Sequence, residues 1–281
     1  MKKISRIITL SLLIVFFIGF ALLLYPAISQ YWNSKLQMQA IVEYEKLPSG
    51  ISDADFQKML ADADAYNQKI KTFSFPLTEA KGLEEYDRIL NIDGKGMIGY
   101  VSIDKLRLQI PVYHGTSDDV LNRACGHLEG TSFPVGGTGT HCVLSAHRGL
   151  PSSKLFTDLD KVEVGDVFTI TVMKEVLTYQ VDQVKIILPT ETADLEIDET
   201  MDYCTLMTCA PYGINTHRLL VRGKRIATTD RKELVITSDA YLVSRLIVTP
   251  IVAMPILLVL ILYVFFKPVR KKPVIEEADE L

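Results

Sequence analysis

Two long apolar segments stand near opposite ends of the chain. Residues 7–25 form 19 positions without a charge, and residues 246–266 form another 21. About 20 apolar residues are enough for a helix to cross the hydrocarbon core of a bilayer. The pattern therefore predicts two transmembrane helices, one at each end of a more polar middle.

The charges beside these segments predict their orientation. Basic residues flank both on the terminal side: Lys2, Lys3, Arg6, Lys267, Arg270, Lys271 and Lys272. Because basic flanks stay in the cytoplasm, both termini are predicted to be cytoplasmic, with residues 27–241 outside the cell. A cleaved signal peptide ending near Ala27-Ile28-Ser29 is the alternative for the first segment, whose length favours a retained anchor.

Helical periodicity follows the first segment. Tyr31–Lys46 and Ile51–Lys71 are predicted as two helices, separated by a Leu-Pro-Ser-Gly break. Ser52 followed by Asp55 resembles a capping box, and apolar residues then recur on one face of the second helix. These helices predict an arm between the membrane and the rest of the protein.

From residue 97 onwards, short apolar runs punctuated by glycine and proline predict strands. The predicted strands are Met97–Ile103, Leu106–Tyr113, His141–Ala146, Val167–Val172, Leu177–Leu188, Tyr203–Thr208 and Leu219–Ile226, with a brief helix near Asp118–Arg123. This pattern favours a closed barrel or a sandwich and does not separate the two. The formal charge of −4, without a basic stripe, argues against a nucleic-acid partner.

Three of the four cysteines are predicted to be structural. Cys125, Cys142 and Cys204 show no regular disulfide spacing, and two of them lie in apolar runs, so they read as small buried side chains. A zinc site from Cys125, His127, His141 and Cys142 lacks the usual ligand spacing. Neither a metal nor an organic cofactor is predicted.

The remaining cysteine carries the candidate chemistry. Cys209 ends a strand just before a loop with proline and glycine, and His147 ends another apolar run before a Gly-Leu-Pro turn. A thiol becomes a nucleophile with help from a nearby base, and Arg218 offers charge for a developing oxyanion. Together the three side chains predict acyl transfer.

Two alternatives concern the same residues. His217 is a competing base, but neighbours on a strand point to opposite faces, so it faces away if Arg218 faces the site. Arg218 could instead be a buried ion-pair residue, and the residues alone leave these two roles for it equally open.

Several blocks of sequence resemble the sortases, and most closely the pilin-polymerising class C sortases. SAHRGLP followed by KLFTDLDKVEVGD resembles the histidine signature, and TLMTCAPYGINTHRLLVRG the cysteine and arginine signature. The similarity runs from about Gly96 to Lys224 and includes YHGTSDDVL and GHLEGTSFPVGG. The family's catalytic histidine, nucleophile and essential arginine fall on His147, Cys209 and Arg218.

The resemblance implies a mainly β fold, a closed eight-stranded barrel with short helices, preceded by the helical arm and flanked by the two membrane helices. It implies a cysteine transpeptidase that cleaves the C-terminal sorting signal of pilin subunits and joins them to a lysine of another pilin. The alternatives are attachment of single proteins to the cell wall, a membrane-anchored cysteine peptidase, and a binding module without catalysis.

One family feature is missing. Class C relatives carry a lid with an Asp-Pro-aromatic tripeptide, and no proline of this chain follows an aspartate. Phe73 and Phe75 are the aromatic substitutes in residues 72–92, and an uncovered Cys209 is expected. The predicted boundaries are cytoplasmic N-terminus (1–6), transmembrane helix (7–25), external arm and degenerate lid (26–92), catalytic barrel (93–232), juxtamembrane segment (233–245), transmembrane helix (246–266) and cytoplasmic tail (267–281).

Overall fold

A computed structural model describes residues 2–228 and the isolated helical positions Ala253 and Val259. The chain divides into two compact units, Met1–Ala240 and Tyr241–Leu281. The second predicted membrane segment, apart from those two positions, and the tail beyond it lie outside the described residues.

The first element is a single helix of 45 residues, α1 (Lys2–Lys46), which continues through Pro26. The predicted arm helix was expected to begin at Tyr31, and that boundary is wrong, because the arm is the continuation of the membrane helix. Pro26 removes only one backbone donor, and the residues after it contain no glycine or second proline to end the helix. Within the described residues, α1 alone is long and apolar enough to cross a membrane, and its apolar window is unburied.

The second helix packs against the body of the protein. A 3-10 turn (Leu47–Gly50) leads to α2 (Asp53–Ile70), where the Ser52 hydroxyl accepts a hydrogen bond from the Asp55 amide at 3.2 Å. On its buried face, the Asn67 side chain accepts from the Phe133 amide at 2.7 Å and donates to the Phe133 carbonyl at 3.2 Å. The capping prediction is confirmed, and α2 is fixed to the barrel.

Eight strands close into a barrel in the order β1-β2-β3-β4-β7-β8-β6-β5. They are β1 (Met97–Ile103), β2 (Leu108–His114), β3 (Cys125–His127), β4 (Thr140–Ser145), β5 (Val167–Val172), β6 (Glu175–Ile187), β7 (Asp202–Ala210) and β8 (His217–Ile226). Short helices are α3 (Pro76–Glu79) and α4 (Asp118–Leu121), with 3-10 turns at Tyr86–Arg88, Asp104–Leu106, Leu159–Lys161 and Ala193–Leu195.

The expected closed barrel is confirmed, with one strand added to the seven that the pattern predicted. The added strand, β3, has only three residues, one of them glycine, so it is too short to show a period of two. The second strand begins at Leu108 because Arg107 takes a left-handed conformation with φ 48° after a 3-10 turn.

Alternate residues of the central strands fill the barrel. Cys204, Leu206 and Ala210 of β7 belong to the main core, as do Leu219 and Val221 of β8. Side chains alternate along a strand, so the residues between them face the outer wall. β7 lies between β4 and β8, which places the ends of three strands side by side.

Candidate active site

Cys209 faces outwards near the end of β7. Its neighbour Ala210 is 2% exposed in the core, whereas Cys209 is half-buried on the outer wall. Of the four cysteines it is the one that is not fully buried. A rigid strand therefore holds a thiol that solutes can reach.

Arg218 lies directly opposite Cys209 on β8. The two residues are paired in the antiparallel register, so both side chains leave the same face. The Arg218 Nη1 donates to the carbonyls of Asn215 (3.3 Å) and His217 (3.0 Å). Within residues 2–228 Arg218 makes no ion pair, whereas Arg222 pairs with Asp182 at 2.9 Å. The geometry favours a site role for Arg218 over a structural ion pair.

His147 follows β4 on the other side of Cys209. β4 and β7 run parallel, with Ser145 level with Met207, and the Ala146 amide donates to the Met207 carbonyl at 3.1 Å. β4 ends at Ser145, and His147 follows two positions later, just as Cys209 follows Met207 by two positions on β7. The fold thus brings all three predicted site residues to the same end of the barrel, where β4 and β7 end and β8 begins.

Hydrogen bonds fix the backbone around His147. The Thr208 hydroxyl donates to the Ala146 carbonyl at 2.8 Å, across the two strands that carry the histidine and the cysteine. The His147 carbonyl accepts from the Phe156 amide at 3.1 Å. These bonds fix the backbone that carries His147 against the strand that carries Cys209, and sequence reasoning missed the contribution of Thr208.

The loops after β4 and β7 also contact each other. The Arg148 guanidinium lies 5.5 Å from the ring centroid of Tyr212 and bonds Asp160 at 2.5 Å. A Cβ at Gly149 would lie 2.9 Å from the Tyr212 ring, and Gly149 has φ 76°, in the left-handed region that favours glycine. The sequence signal was present in Gly-Leu-Pro and Pro-Tyr-Gly, but only the fold shows that the two turns meet.

His217 lies on the other face of its strand. It pairs with Ala210, whose side chain is in the core, and its Nδ1 is 2.9 Å from the Thr216 hydroxyl oxygen. This register agrees with the earlier expectation that His217 faces away from the site if Arg218 faces towards it.

The other cysteines are buried free thiols, as predicted. Burial raises the pKa of Cys125 and Cys204 well above the usual thiol value, which keeps them protonated. Of the histidines considered for zinc, His141 lies on the outer wall with its Nε2 2.7 Å from the Thr205 hydroxyl oxygen. His127 shares the inner side of its strand with Cys125. No group of three or more potential ligands converges among the described residues.

An apolar patch on the outer wall lies next to the three site residues. Val143, Ile187, Leu195 and Leu220 form it, with Leu77, Leu128 and Met207 packed against it. Met207 and Leu220 are paired two positions along from Cys209 and Arg218. The patch therefore continues the strip of wall that carries the thiol.

Leu77 reaches this patch from the segment where the resemblance implied a lid. A Cβ at Gly130 would lie 2.3 Å from the Pro76 carbonyl oxygen, so the segment lies tightly on the barrel. Phe75 is 72% exposed, and Phe73 packs against the main core instead of the patch. Neither Phe73 nor Phe75 therefore packs on this patch in the place of the family's lid aromatic. The contact is made instead by the aliphatic side chain of Leu77, which sequence reasoning missed.

These features define the protein class. The chain matches the sortase domain over residues 101–226, and it belongs to the sortase family, whose members are cysteine transpeptidases.

Solved class C sortases are similar to it in sequence and fold. Sortase C1 of Streptococcus agalactiae is 46% identical with a TM-score of 0.64, covering 68% of this chain and 100% of that one. Sortase C of Streptococcus pneumoniae, described for its pilin substrate specificity, is 42% identical with a TM-score of 0.62, covering 69% and 99%. Sortase D of Bacillus subtilis is 26% identical over 46% of this chain and 63% of its own length.

Proposed function

We propose that this protein is a membrane-anchored class C sortase that joins pilin subunits covalently outside the cell. The observation that carries the proposal is the adjacency of β4, β7 and β8, in which Cys209 is paired with Arg218 and the strand on its other side leads into His147. The similarity to a sortase described for pilin specificity supports the choice of substrate.

In the proposed first step, the Cys209 thiol passes its proton to His147 as its sulfur attacks a backbone carbonyl carbon in the sorting signal. The carbonyl oxygen takes negative charge, which the Arg218 guanidinium stabilises. His147 donates a proton to the departing amine, so the downstream peptide leaves and a thioester to Cys209 remains.

In the second step, a lysine amine of another pilin attacks the thioester carbonyl. His147 takes a proton from that amine and returns it to the Cys209 sulfur, so the new amide forms and the thiol is released. Atoms and charges balance over the two steps, because the proton given to the leaving amine is recovered from the incoming one.

The test is to incubate the detergent-solubilised full chain with a candidate pilin and to separate the products under denaturing conditions. A ladder of covalent polymers is expected, and it should be lost in Cys209→Ala. Cleaved monomer without a ladder would instead indicate a peptidase, and transfer only to cell-wall amines would indicate attachment of single proteins.

A further inference from the structure

Side chains of α1 are hydrogen-bonded to the turn that follows His147. Gln30 donates to the Pro151 carbonyl at 3.3 Å, and Asn33 donates to the Ser152 carbonyl at 2.8 Å. One turn further, Gln37 donates to the Ser153 hydroxyl at 3.2 Å and to the Arg123 carbonyl at 2.7 Å. Spacings of three and four residues place these donors on one face of the helix.

The same helix is fixed to the barrel above this contact. Tyr44 is 2% exposed, and its hydroxyl donates to the Ile98 carbonyl at 2.5 Å and accepts from the Met173 amide at 2.9 Å. Ile41 packs with it against residues of β1 and β2. Because α1 is held at two places along its length, it does not pivot freely on the barrel.

Below the contact, α1 has the features of a membrane span. The apolar stretch of residues 7–25 contains 19 positions, a length of about 28 Å at 1.5 Å per residue, close to the hydrocarbon thickness. Tyr25 is 57% exposed and Trp32 is 60% exposed, and such aromatics are enriched at the membrane surface. Gln30 and Asn33 would then lie about 8 and 12 Å above the hydrocarbon.

We infer that α1 holds the active site at a set height above the membrane. This height selects acyl donors, the substrate proteins that Cys209 cleaves, by the length of the spacer between their scissile bond and their membrane segment. The donor recognised is a polypeptide held in the same membrane by an apolar segment. Its scissile bond reaches Cys209 only when the number of residues between bond and membrane matches that height. The inference rests on the proposed function and adds a specificity determinant that lies outside the active site.

The experiment reconstitutes the full chain in liposomes with donors that carry a cleavable pilin sorting signal, a spacer of varied length and a transmembrane helix. Cleavage should peak at one spacer length. Seven helix-forming residues inserted after Ala27 add two turns, about 10 Å, with nearly unchanged helix rotation. The optimum should then move to spacers about three residues longer, because extended chain covers about 3.3 Å per residue.

Two control variants distinguish a change in the height of the active site from a general disturbance of that site. A seven-residue Gly-Ser insert at the same point should broaden the spacer profile without a defined shift. Replacing Gln30, Asn33 and Gln37 together by alanine should broaden it as well, since these substitutions remove the contact with the turn after His147. All variants should cleave a water-soluble donor in detergent at the wild-type rate within about threefold, which corresponds to roughly 0.6 kcal/mol.

A spacer profile that is flat for the wild type, or unchanged by the helical insert, would overturn the inference and leave the proposed function intact. Failure of the wild type to cleave even the soluble donor would overturn the proposed function, and this inference with it.

Discussion

At the residue scale, the fold distinguishes two candidate bases, His147 after β4 and His217 beside Arg218 on β8. His147 follows the end of β4, the strand that pairs with the Cys209 strand, and His217 pairs with Ala210 on the inner side. His147→Ala should lower transpeptidation about 10²–10⁴-fold, the range for losing a general acid and base. His217→Ala is the matched control and should stay within about threefold of wild type. A reversed order of the two effects in steady-state rates would show that the alternation argument is wrong.

Arg218 provides the second residue-scale prediction. Arg218→Lys keeps the charge but loses the planar fork of donors, so activity should fall on the order of 10²–10³-fold, as for one lost oxyanion donor. The melting temperature should barely change, since Arg218 bonds only nearby backbone carbonyls in the described structure.

Arg222→Lys is the control for Arg218→Lys. Arg222 forms a two-point ion pair with Asp182 on the same face of β8, further from Cys209. Its replacement should cost some stability and little activity. If Arg218→Lys is largely unfolded but its remaining folded molecules have normal activity, Arg218 has a structural role instead.

The three site residues were predictable from the sequence because strand ends, turn residues and chemical type coincide at each of them. Thr208 and Tyr212 were not predictable in this way. Their contacts join segments about 62 residues apart along the chain, as in the bond from Thr208 to Ala146, and no local pattern shows which loops meet.

At the element scale, the segment around α3 carries a prediction about access to the thiol. Leu77 is half-buried on the apolar patch beside Met207. Leu77→Ala removes three carbons of a half-buried side chain, about 1 kcal/mol, so any opening of the segment should become about fivefold more frequent. Cys209 is already half-exposed, so its modification by a small thiol reagent should become faster by up to that factor.

Phe75→Ala is the matched control for Leu77→Ala, because Phe75 is 72% exposed and its loss removes little packing. It should change the modification rate by less than about threefold. Equal rates in wild type and Leu77→Ala would show that this segment does not shield Cys209, as the missing tripeptide had suggested.

The elements that could be predicted from the sequence are those long enough to show a hydrophobic periodicity. Seven strands and α2 were identified because each is long enough to alternate or to form an apolar stripe. β3 and α3 have three and four residues, so tertiary contacts decide their structure. α1 was divided wrongly because its uncharged part and its polar part were predicted as two separate helices, whereas one helix continues through Pro26.

At the scale of the whole molecule, the class of protein follows from both the motifs and the closed barrel. The two-pass arrangement stays a prediction from hydropathy and flanking charge, because α1 is the one described helix that satisfies it. The pilin substrate is likewise a proposal, supported by the similarity to a sortase described for its pilin substrate specificity.

The most direct test of the account is the intact mass of the full chain, in detergent, after brief incubation with a pilin sorting-signal peptide. The account predicts an adduct equal to the peptide portion before the scissile bond, located on Cys209, released by hydroxylamine and absent from folded Cys209→Ala. An adduct on another residue, or undiminished product formation by Cys209→Ala, would contradict it.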